Sequence, residues 1–275
     1  MTDSNPARLD IEIHGAGPDW AFELVDRERS RRLAELVAES SQDSETSYFG
    51  IEVGNERRYF EGILRAYIRP GKNLLDYGCG GARWKDYWSI PSHVTGVDVV
   101  LQNLESLRAA FPDRTRFRLI YATAGITALP DSAFDQILSS SVVGYIHPKL
   151  AEIHVHEIAR LLRPSGIAMF TRINAANYAT PLRGRFVETG GGFAYRYSRR
   201  ELRRLIEDAR MQTLEMRRIG LHIPLLRRQV QRLYGSEWFR RLDAQINCVP
   251  GFAVHHLIIA TRREMSDIPI PEPFA

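Results

Sequence analysis

Cysteine is almost missing from this chain, with Cys79 and Cys248 the two in 275 residues. Two thiols cannot build a disulfide framework, nor supply the ligands of a zinc ribbon or an iron–sulfur cluster. A reducing, cytoplasmic compartment is the expectation that follows. Long apolar runs are missing too: no stretch approaches the roughly 18 residues of a membrane span, and mean hydropathy is −0.27. The opening MTDSNPARLDIEIHG contains Asp3 and Asp10 and no apolar block, so it does not read as a secretory signal. Lysine is scarce, since 34 of the 37 basic residues are arginine. The net charge of +4 divides unevenly, with residues 1–150 at −4 and 151–275 at +8. An anion-binding surface is one reading of that asymmetry. Solvated helix faces are the preferred one, because many of the arginines alternate with acids.

What is present is ordinary for a globular protein: 44% hydrophobic and 25% charged residues, in a length that suits one large domain or two small ones. Residues 1–54 read as a helical cap, with a helix from about Trp20 to Val37 and a polar loop, ESSQDSETS, after it. From Asn55 onward Tyr59, Phe60, Ile63, Leu64, Tyr67 and Ile68 recur at helical spacing until Pro70-Gly71 ends the run. Strand patterns then alternate with helix patterns. Strands are predicted near Asn73–Tyr77, His93–Asp98, Arg116–Tyr121, Phe134–Ser140 and Gly166–Thr171, and helices around Leu101–Phe111 and Leu150–Leu162. Such alternation calls for parallel strands joined by crossover helices. Ser198 and Glu201 have the spacing of a capping box, opening a helix with Leu202, Leu205, Ile206 and Ala209. Two further strands, Thr213–Ile219 and Ala253–Thr261, flank a helical insertion over 222–250. There Leu226, Val230, Leu233, Trp238, Phe239 and Leu242 oppose Arg227, Arg228, Arg232, Arg240 and Arg241. The main domain is thus expected over 55–263, with a tail at 264–275.

Chemistry concentrates in Leu74-Leu75-Asp76-Tyr77-Gly78-Cys79-Gly80-Gly81-Ala82, an apolar strand running into glycines. Glycines after a first parallel strand let a ligand approach the backbone, because no Cβ intervenes. The next strand, Val94-Thr95-Gly96-Val97-Asp98, ends in an acid 18 residues after Gly80, where a carboxylate can accept both hydroxyls of a ribose. A dinucleotide fingerprint would need glycine at 83, which is Arg83, and a P-loop would need a Gly-Lys-Ser/Thr ending that does not occur. Asp76 suits an ammonium group better than a pyrophosphate. The pattern therefore points to a nucleoside joined to an amino acid.

On these residues the chain resembles the class I S-adenosylmethionine-dependent methyltransferases of the broad small-molecule kind. The resemblance is carried by LLDYGCGGA, TGVDVV, ALPDSAFDQILSSSVVGYI and EIARLLRPSGIAMFTRIN in that order, and spans roughly residues 55–219 plus the last strand. It implies a Rossmann-like α/β fold: a seven-stranded, mostly parallel sheet with the last strand antiparallel. It also implies S-adenosyl-L-methionine as cofactor. By the family pattern Asp76 would orient the methionine ammonium, and Gly78, Cys79 and Gly80 would admit its backbone. Asp98 would take the ribose, Val99 would lie beside the adenine, and Gly125 and Ile126 would contact it. Ser141 stands where relatives often carry an acid after strand four. Cys79 needs no reactive role, since a small residue is wanted there.

Methyl transfer from a sulfonium is an in-line displacement, helped by alignment and, for a hydroxyl acceptor, by a general base. Candidates lie at the carboxyl ends of strands: Tyr145 and His147 after strand four, Arg172 and Asn174 after strand five. His147 is the leading base; its other reading is the start of the next helix before Pro148. His154, His156, His255 and His256 read as structural, and no metal site is expected. Thr189–Tyr197, with Gly190-Gly191-Gly192 and three aromatics, reads as a flexible segment that could close over a substrate, with Trp20, Tyr48, Phe49 and Tyr59 completing an apolar lid. The expected acceptor is a small organic molecule or a glycan, methylated on oxygen. No run such as Asn-Pro-Pro-Tyr follows strand four, which disfavours nucleic acid. The basic insertion keeps open a nucleic-acid acceptor and peripheral contact with a membrane bearing a lipid-linked one. A non-catalytic cofactor-binding protein is the rival from another class. Monomer and homodimer both fit.

Overall fold

The structure is a computed structural model that describes residues 11–15, 17–23, 25–26, 62–80, 85–111, 113, 115–123, 125–173, 186–189, 192–195, 197–221, 227–246 and 253–262. Ten strands occur in it: β1 (Ile11–His14), β2 (Asn73–Tyr77), β3 (His93–Asp98), β4 (Phe117–Ala122), β5 (Phe134–Ser140), β6 (Leu162–Ile173), β7 (Phe186–Thr189), β8 (Gly192–Tyr195), β9 (Met211–Leu221) and β10 (Ala253–Arg262). Eight of them form one sheet in the order β1-β4-β3-β2-β5-β6-β10-β9. Neighbours from β1 through β6 are parallel, and β10 runs antiparallel to both β6 and β9. The chain reverses direction across the sheet at β2, with β3 on one side and β5 on the other. That reversal opens a crevice at the carboxyl ends of these strands, where open α/β sheets bind ligands.

The expected seven strands become eight because Ile11–His14, read as part of a helical cap, pairs in parallel with β4 at the edge of the sheet. Four residues are too few to show a period in sequence. Ile11 packs against the core while Ile13 is 71% exposed, and Glu12 instead pairs with Arg118 on the neighbouring strand at 2.5 Å. A short helix, α1 (19–23), follows. The predicted helix beyond residue 26, with Tyr48, Phe49 and Tyr59, lies outside the described residues.

Alternation along β2 divides the core. Leu74 joins a cluster with Trp88, Leu104, Leu119, Leu138 and Met169, while Leu75 joins Val97, Ile120, Ile137, Val155 and Ile158 on the opposite face. Both faces are covered, which is why these strands read as continuous apolar runs rather than alternating ones. A helix α2 (62–67) and α3 (Leu101–Ala110) cover the first face. The second is covered by α4 (Pro148–Leu161) and α5 (Arg199–Asp208). The capping box at α5 is formed: Glu201 N donates to Ser198 Oγ and Ser198 N to the Glu201 carboxylate. Between α4 and the straight part of β6, register jumps from Phe134↔Leu162 to Gln136↔Ile167, so Pro164-Ser165-Gly166 bulge out of the sheet.

The insertion folds as α6 (Arg227–Leu233) and α7 (Glu237–Ile246). Val230, Tyr234 and Phe239 enter the first core cluster. Leu233 and Trp238, expected on the same apolar face, are 37% and 59% exposed. They flank the turn between the two helices, where the apolar stripe rotates off the sheet. After β6, β7 and β8 pair as antiparallel strands, and Gly190 and Gly191, on which the expected hinge falls, lie outside the described residues.

Candidate functional site

The first parallel strand ends in a turn that needs glycine. Gly78 has φ +80°, and a Cβ there would sit 2.3 Å from Val142 Cγ2, so the residue admits the loop after β5. Gly80 has φ +54°, and a Cβ there would meet nothing within 4 Å among the described residues. The two glycines thus differ in purpose: one accommodates protein, the other borders open space. Gly78 N and Cys79 N both donate to Val97 O, at 2.7 and 3.0 Å, tying the turn to the end of β3.

Asp98 closes β3 with its carboxylate aimed back at that turn. Oδ2 accepts from Gly80 N at 2.7 Å, and Oδ1 accepts from Val100 N at 2.8 Å and, more weakly, from Asn103 Nδ2 at 3.4 Å. Hydrogen bonds from backbone amides hold the carboxylate in one orientation at 7% exposure. A diol donating to a carboxylate beside an open glycine is a donor–acceptor set that fits the sugar of a nucleoside.

Asp76, two residues before Gly78, is 2% exposed. Its Oδ2 accepts from Tyr87 Oη at 2.7 Å and Trp88 Nε1 at 2.9 Å, both from the 3-10 turn Lys85–Ser89. Burial pushes its pKa up to about 6 against those two hydrogen bonds, with the nearby Asp98 charge adding to the rise. Burial also pushes the Cys79 thiol well up, with both carboxylates adding to the rise, so it stays protonated and unreactive.

The rim beyond is built from β4 and β5. The Tyr77 hydroxyl donates to Gly125 O, fixing the loop that carries Gly125 (φ +70°) and Ile126 to the first strand. Ser141 has φ +59°, a left-handed conformation unusual for a residue with a Cβ. It is held there because its N–H donates to Thr171 O at 2.9 Å and Thr171 Oγ1 at 3.2 Å. Strain of this kind gathers at functional loops. Val99 packs with Ala21, Val25, Leu150 and Ile146, so α1 and the turn after it wall the side where adenine was expected. Trp20 and Ile126 line an open groove of about 630 Å³ with Lys149, Ile153 and His156.

The structure therefore gathers Asp76, Gly78, Cys79, Gly80 and Asp98 at one strand-end crevice, with Gly125 and Ser141 on its rim. His147 stands farther along, as the N-cap of α4: its Nδ1 accepts from Lys149 N at 3.2 Å. Tyr145 is half-buried in the preceding turn, its N–H donating to Val142 O at 2.8 Å. The side chain of Arg172, and all of Asn174, lie outside the described residues. Among the described residues no group of three or more His, Cys, Asp or Glu could hold a metal ion. Sequence reasoning missed Tyr87 and Trp88. A buried carboxylate needs donors, but Tyr77 and Trp84 stand nearer in sequence than Tyr87 and Trp88, so spacing alone did not select the pair.

Beneath the rim, His154 bonds Ser139 Oγ at 2.8 Å and stacks edge-on against Tyr77 at 4.5 Å. Its pKa falls to about 4 through burial, so it is a neutral structural group. Glu157 accepts from Thr127 N, Thr127 Oγ1 and Arg160, clamping the 127–131 loop onto α4.

Residues 75–170 match the family model described as a methyltransferase domain. These residues are a class I S-adenosylmethionine-dependent methyltransferase domain. No curated protein matches the chain in sequence. Solved structures share the fold at low identity. An S-adenosylmethionine-dependent methyltransferase from Mesorhizobium loti is 18% identical, with 78% of this chain and 100% of that one covered and a TM-score of 0.55. The 1,6-didemethyltoxoflavin-N1-methyltransferase of Burkholderia thailandensis, holding 1,6-didemethyltoxoflavin and S-adenosylhomocysteine, is 16% identical over 93% of each chain, also at 0.55. The [4+2]-cyclase SpnF is 14% identical over 91% of this chain and 98% of its own chain, at 0.55. The strand order places β2, β3, β4 and β5 of the methyltransferase around the crevice that carries Asp98.

Proposed function

We propose that this methyltransferase acts on a small-molecule or glycan acceptor and methylates it on oxygen. The observation that carries the reading is the Asp98 carboxylate, fixed by Gly80 N–H against the open side of the glycine turn. When bound, S-adenosylmethionine supplies an electrophilic methyl on a sulfonium sulfur.

Around it the chain's own residues bind and orient. Asp98 accepts the ribose hydroxyls, and Gly80 leaves room for the methionine backbone. Asp76 faces the ammonium, Val99 and Ile126 flank the adenine, and the backbone at Gly125 completes the contact. Cys79 shapes the floor and Ser141 the rim. His147 uses Nδ1 to cap α4, which leaves Nε2 to take the proton of a hydroxyl acceptor, with Tyr145 as its neighbour. The Burkholderia enzyme, similar over nearly its whole length and holding a small heterocyclic ligand, supports a small acceptor. Scarce cysteine supports a cytoplasmic setting.

The test is transfer of labelled methyl from the cofactor to a panel of phenols, sugars and amines. With a hydroxyl acceptor, His147→Ala is expected to lower kcat by about 10²- to 10⁴-fold while leaving S-adenosylhomocysteine affinity unchanged. An amine acceptor would remove the oxygen assignment, and an unaltered kcat with a hydroxyl acceptor would remove His147 as the base.

A second reading is a lipid-linked acceptor reached at a membrane surface. It is favoured by exposed Trp238 and Leu233 beside exposed Arg232 and Arg241. Arg241 is partly neutralised by Glu237 at 2.7 Å. Among the described residues no helix is long and apolar enough to cross a membrane. Co-sedimentation with phosphatidylserine vesicles at low salt separates the readings. The small-molecule reading expects the protein in the supernatant, and a pellet that Trp238→Ala abolishes would establish the other.

A further inference from the structure

Asp76 is a buried acid whose described partners are both uncharged. Tyr87 Oη and Trp88 Nε1 converge on the same oxygen, Oδ2. Among the described residues Oδ1 accepts no hydrogen bond and no cation pairs with the carboxylate. Burying an ionised carboxylate without a counter-charge is costly, so the arrangement calls for a cation from elsewhere. Tyr87 and Trp88 are each 0% exposed, and their ring positions are set by the core: Trp88 stacks with Phe117 and Phe111. Two donors anchored in packed aromatics fix a carboxylate more firmly than two mobile side chains would.

We propose that Tyr87 and Trp88 are positioning residues that hold one oxygen of Asp76 so that the other receives the ammonium of the cofactor's methionine portion. The proposal rests on the assignment of Asp76 to that ammonium, and the experiment separates the two. The titratable groups facing Asp76 are Tyr87 from the 3-10 turn, Cys79 from the glycine turn and Asp98 from β3. Burial and the Asp98 charge raise its pKa to about 6, whereas the Tyr87 and Trp88 hydrogen bonds lower it. The ammonium needs the ionised form. Affinity for a ligand carrying it must therefore fall as pH drops through this value, and removing one donor must move the fall to higher pH.

The experiment is calorimetric titration, between pH 5 and 7, with S-adenosylhomocysteine and with 5′-methylthioadenosine, which keeps the nucleoside and sulfur but has no ammonium. Wild type should lose S-adenosylhomocysteine affinity below about pH 6, approaching tenfold per pH unit, with methylthioadenosine flat over the same range. Tyr87→Phe should weaken S-adenosylhomocysteine about fivefold or more at pH 7, shift its pH break upward and spare methylthioadenosine. Trp88→Phe serves as the second variant should Tyr87→Phe fold poorly by thermal melting. Equal weakening of both ligands with an unmoved break overturns the proposal and leaves the aromatics merely structural. Asp76→Asn decides the underlying assignment. If it loses S-adenosylhomocysteine selectively while the aromatic variants shift nothing, the positioning role alone fails. If it does not discriminate the ligands, the ammonium assignment fails as well.

Discussion

Asp98→Asn is expected to weaken S-adenosylhomocysteine binding by roughly 30- to 1,000-fold, the equivalent of one or two charge-assisted hydrogen bonds at about 2–4 kcal/mol in total. The asparagine keeps one acceptor oxygen but replaces the other with an NH₂ group. That group must face either Gly80 N–H, a donor already 2.7 Å away, or Val100 N–H, a donor 2.8 Å away. Both outcomes oppose donor to donor. Alanine would be a poorer probe, because it strands the buried amides of Gly80 and Val100 and so damages the turn as well as the ligand contact. Calorimetry with S-adenosylhomocysteine measures the loss, and a cofactor analogue without ribose hydroxyls supplies the control. The analogue should bind wild type and variant alike. A variant that binds the full cofactor as wild type does would detach Asp98 from the ribose.

The second large effect concerns folding, and it distinguishes two glycines that look alike in sequence. Gly78→Ala places a methyl 2.3 Å from Val142 Cγ2 at a backbone φ of +80°, so both overpacking and left-handed strain oppose it. Together these cost about 2–4 kcal/mol, which in a chain of this size lowers Tm by roughly 5–15 °C. Val142→Ala in the same molecule should recover part of that loss, because it relieves the clash but leaves the dihedral. Gly80→Ala meets nothing within 4 Å among the described residues and has its φ of +54° against it, so its Tm should fall by a few degrees at most. Its Cβ would instead occupy the side of the turn where the methionine backbone approaches, and cofactor affinity should drop. Thermal melting and calorimetry on the two variants test the pair. Equal destabilisation, or a Gly78 loss that Val142→Ala leaves untouched, would contradict the assignment.

Much of this arrangement was legible because each signal was local and strong. Asn73–Tyr77, His93–Asp98 and Phe134–Ser140 form strands with the boundaries expected. Each is largely buried on both faces, so apolar residues fall at consecutive positions, as in Leu74-Leu75 and Ile137-Leu138, instead of alternating. The Ser198–Glu201 box was legible for a similar reason, since both partners lie within one helical turn. Ile11–His14 was not legible: it is held by pairing with β4, more than 100 residues away, which leaves no mark in a four-residue window. The rotation of Leu233 and Trp238 out of the core depends on how two short helices meet the sheet. The long-range hydrogen bonds of Ser141 to Thr171 and of Tyr77 to Gly125 were hidden in the same way. In the site, Asp76, Gly78, Cys79, Gly80 and Asp98 lie together at the strand ends, whereas those that hold them in place, Tyr87, Trp88, Asn103 and Val142, come from the segments between.

That division explains how the methyltransferase crevice is built. The glycines and acids provide the recognition surface, and the donors behind them fix it before any ligand arrives, which reduces the ordering cost of binding. Asp76 is a carboxylate in the crevice whose ionised form burial disfavours.

The most direct measurement is a crystal structure of the protein soaked with S-adenosylhomocysteine. The ribose hydroxyls should lie within hydrogen-bond distance of the Asp98 carboxylate, with the homocysteine running past Gly80. A nucleoside seated elsewhere, with its ribose hydroxyls out of reach of the Asp98 carboxylate, would contradict the account.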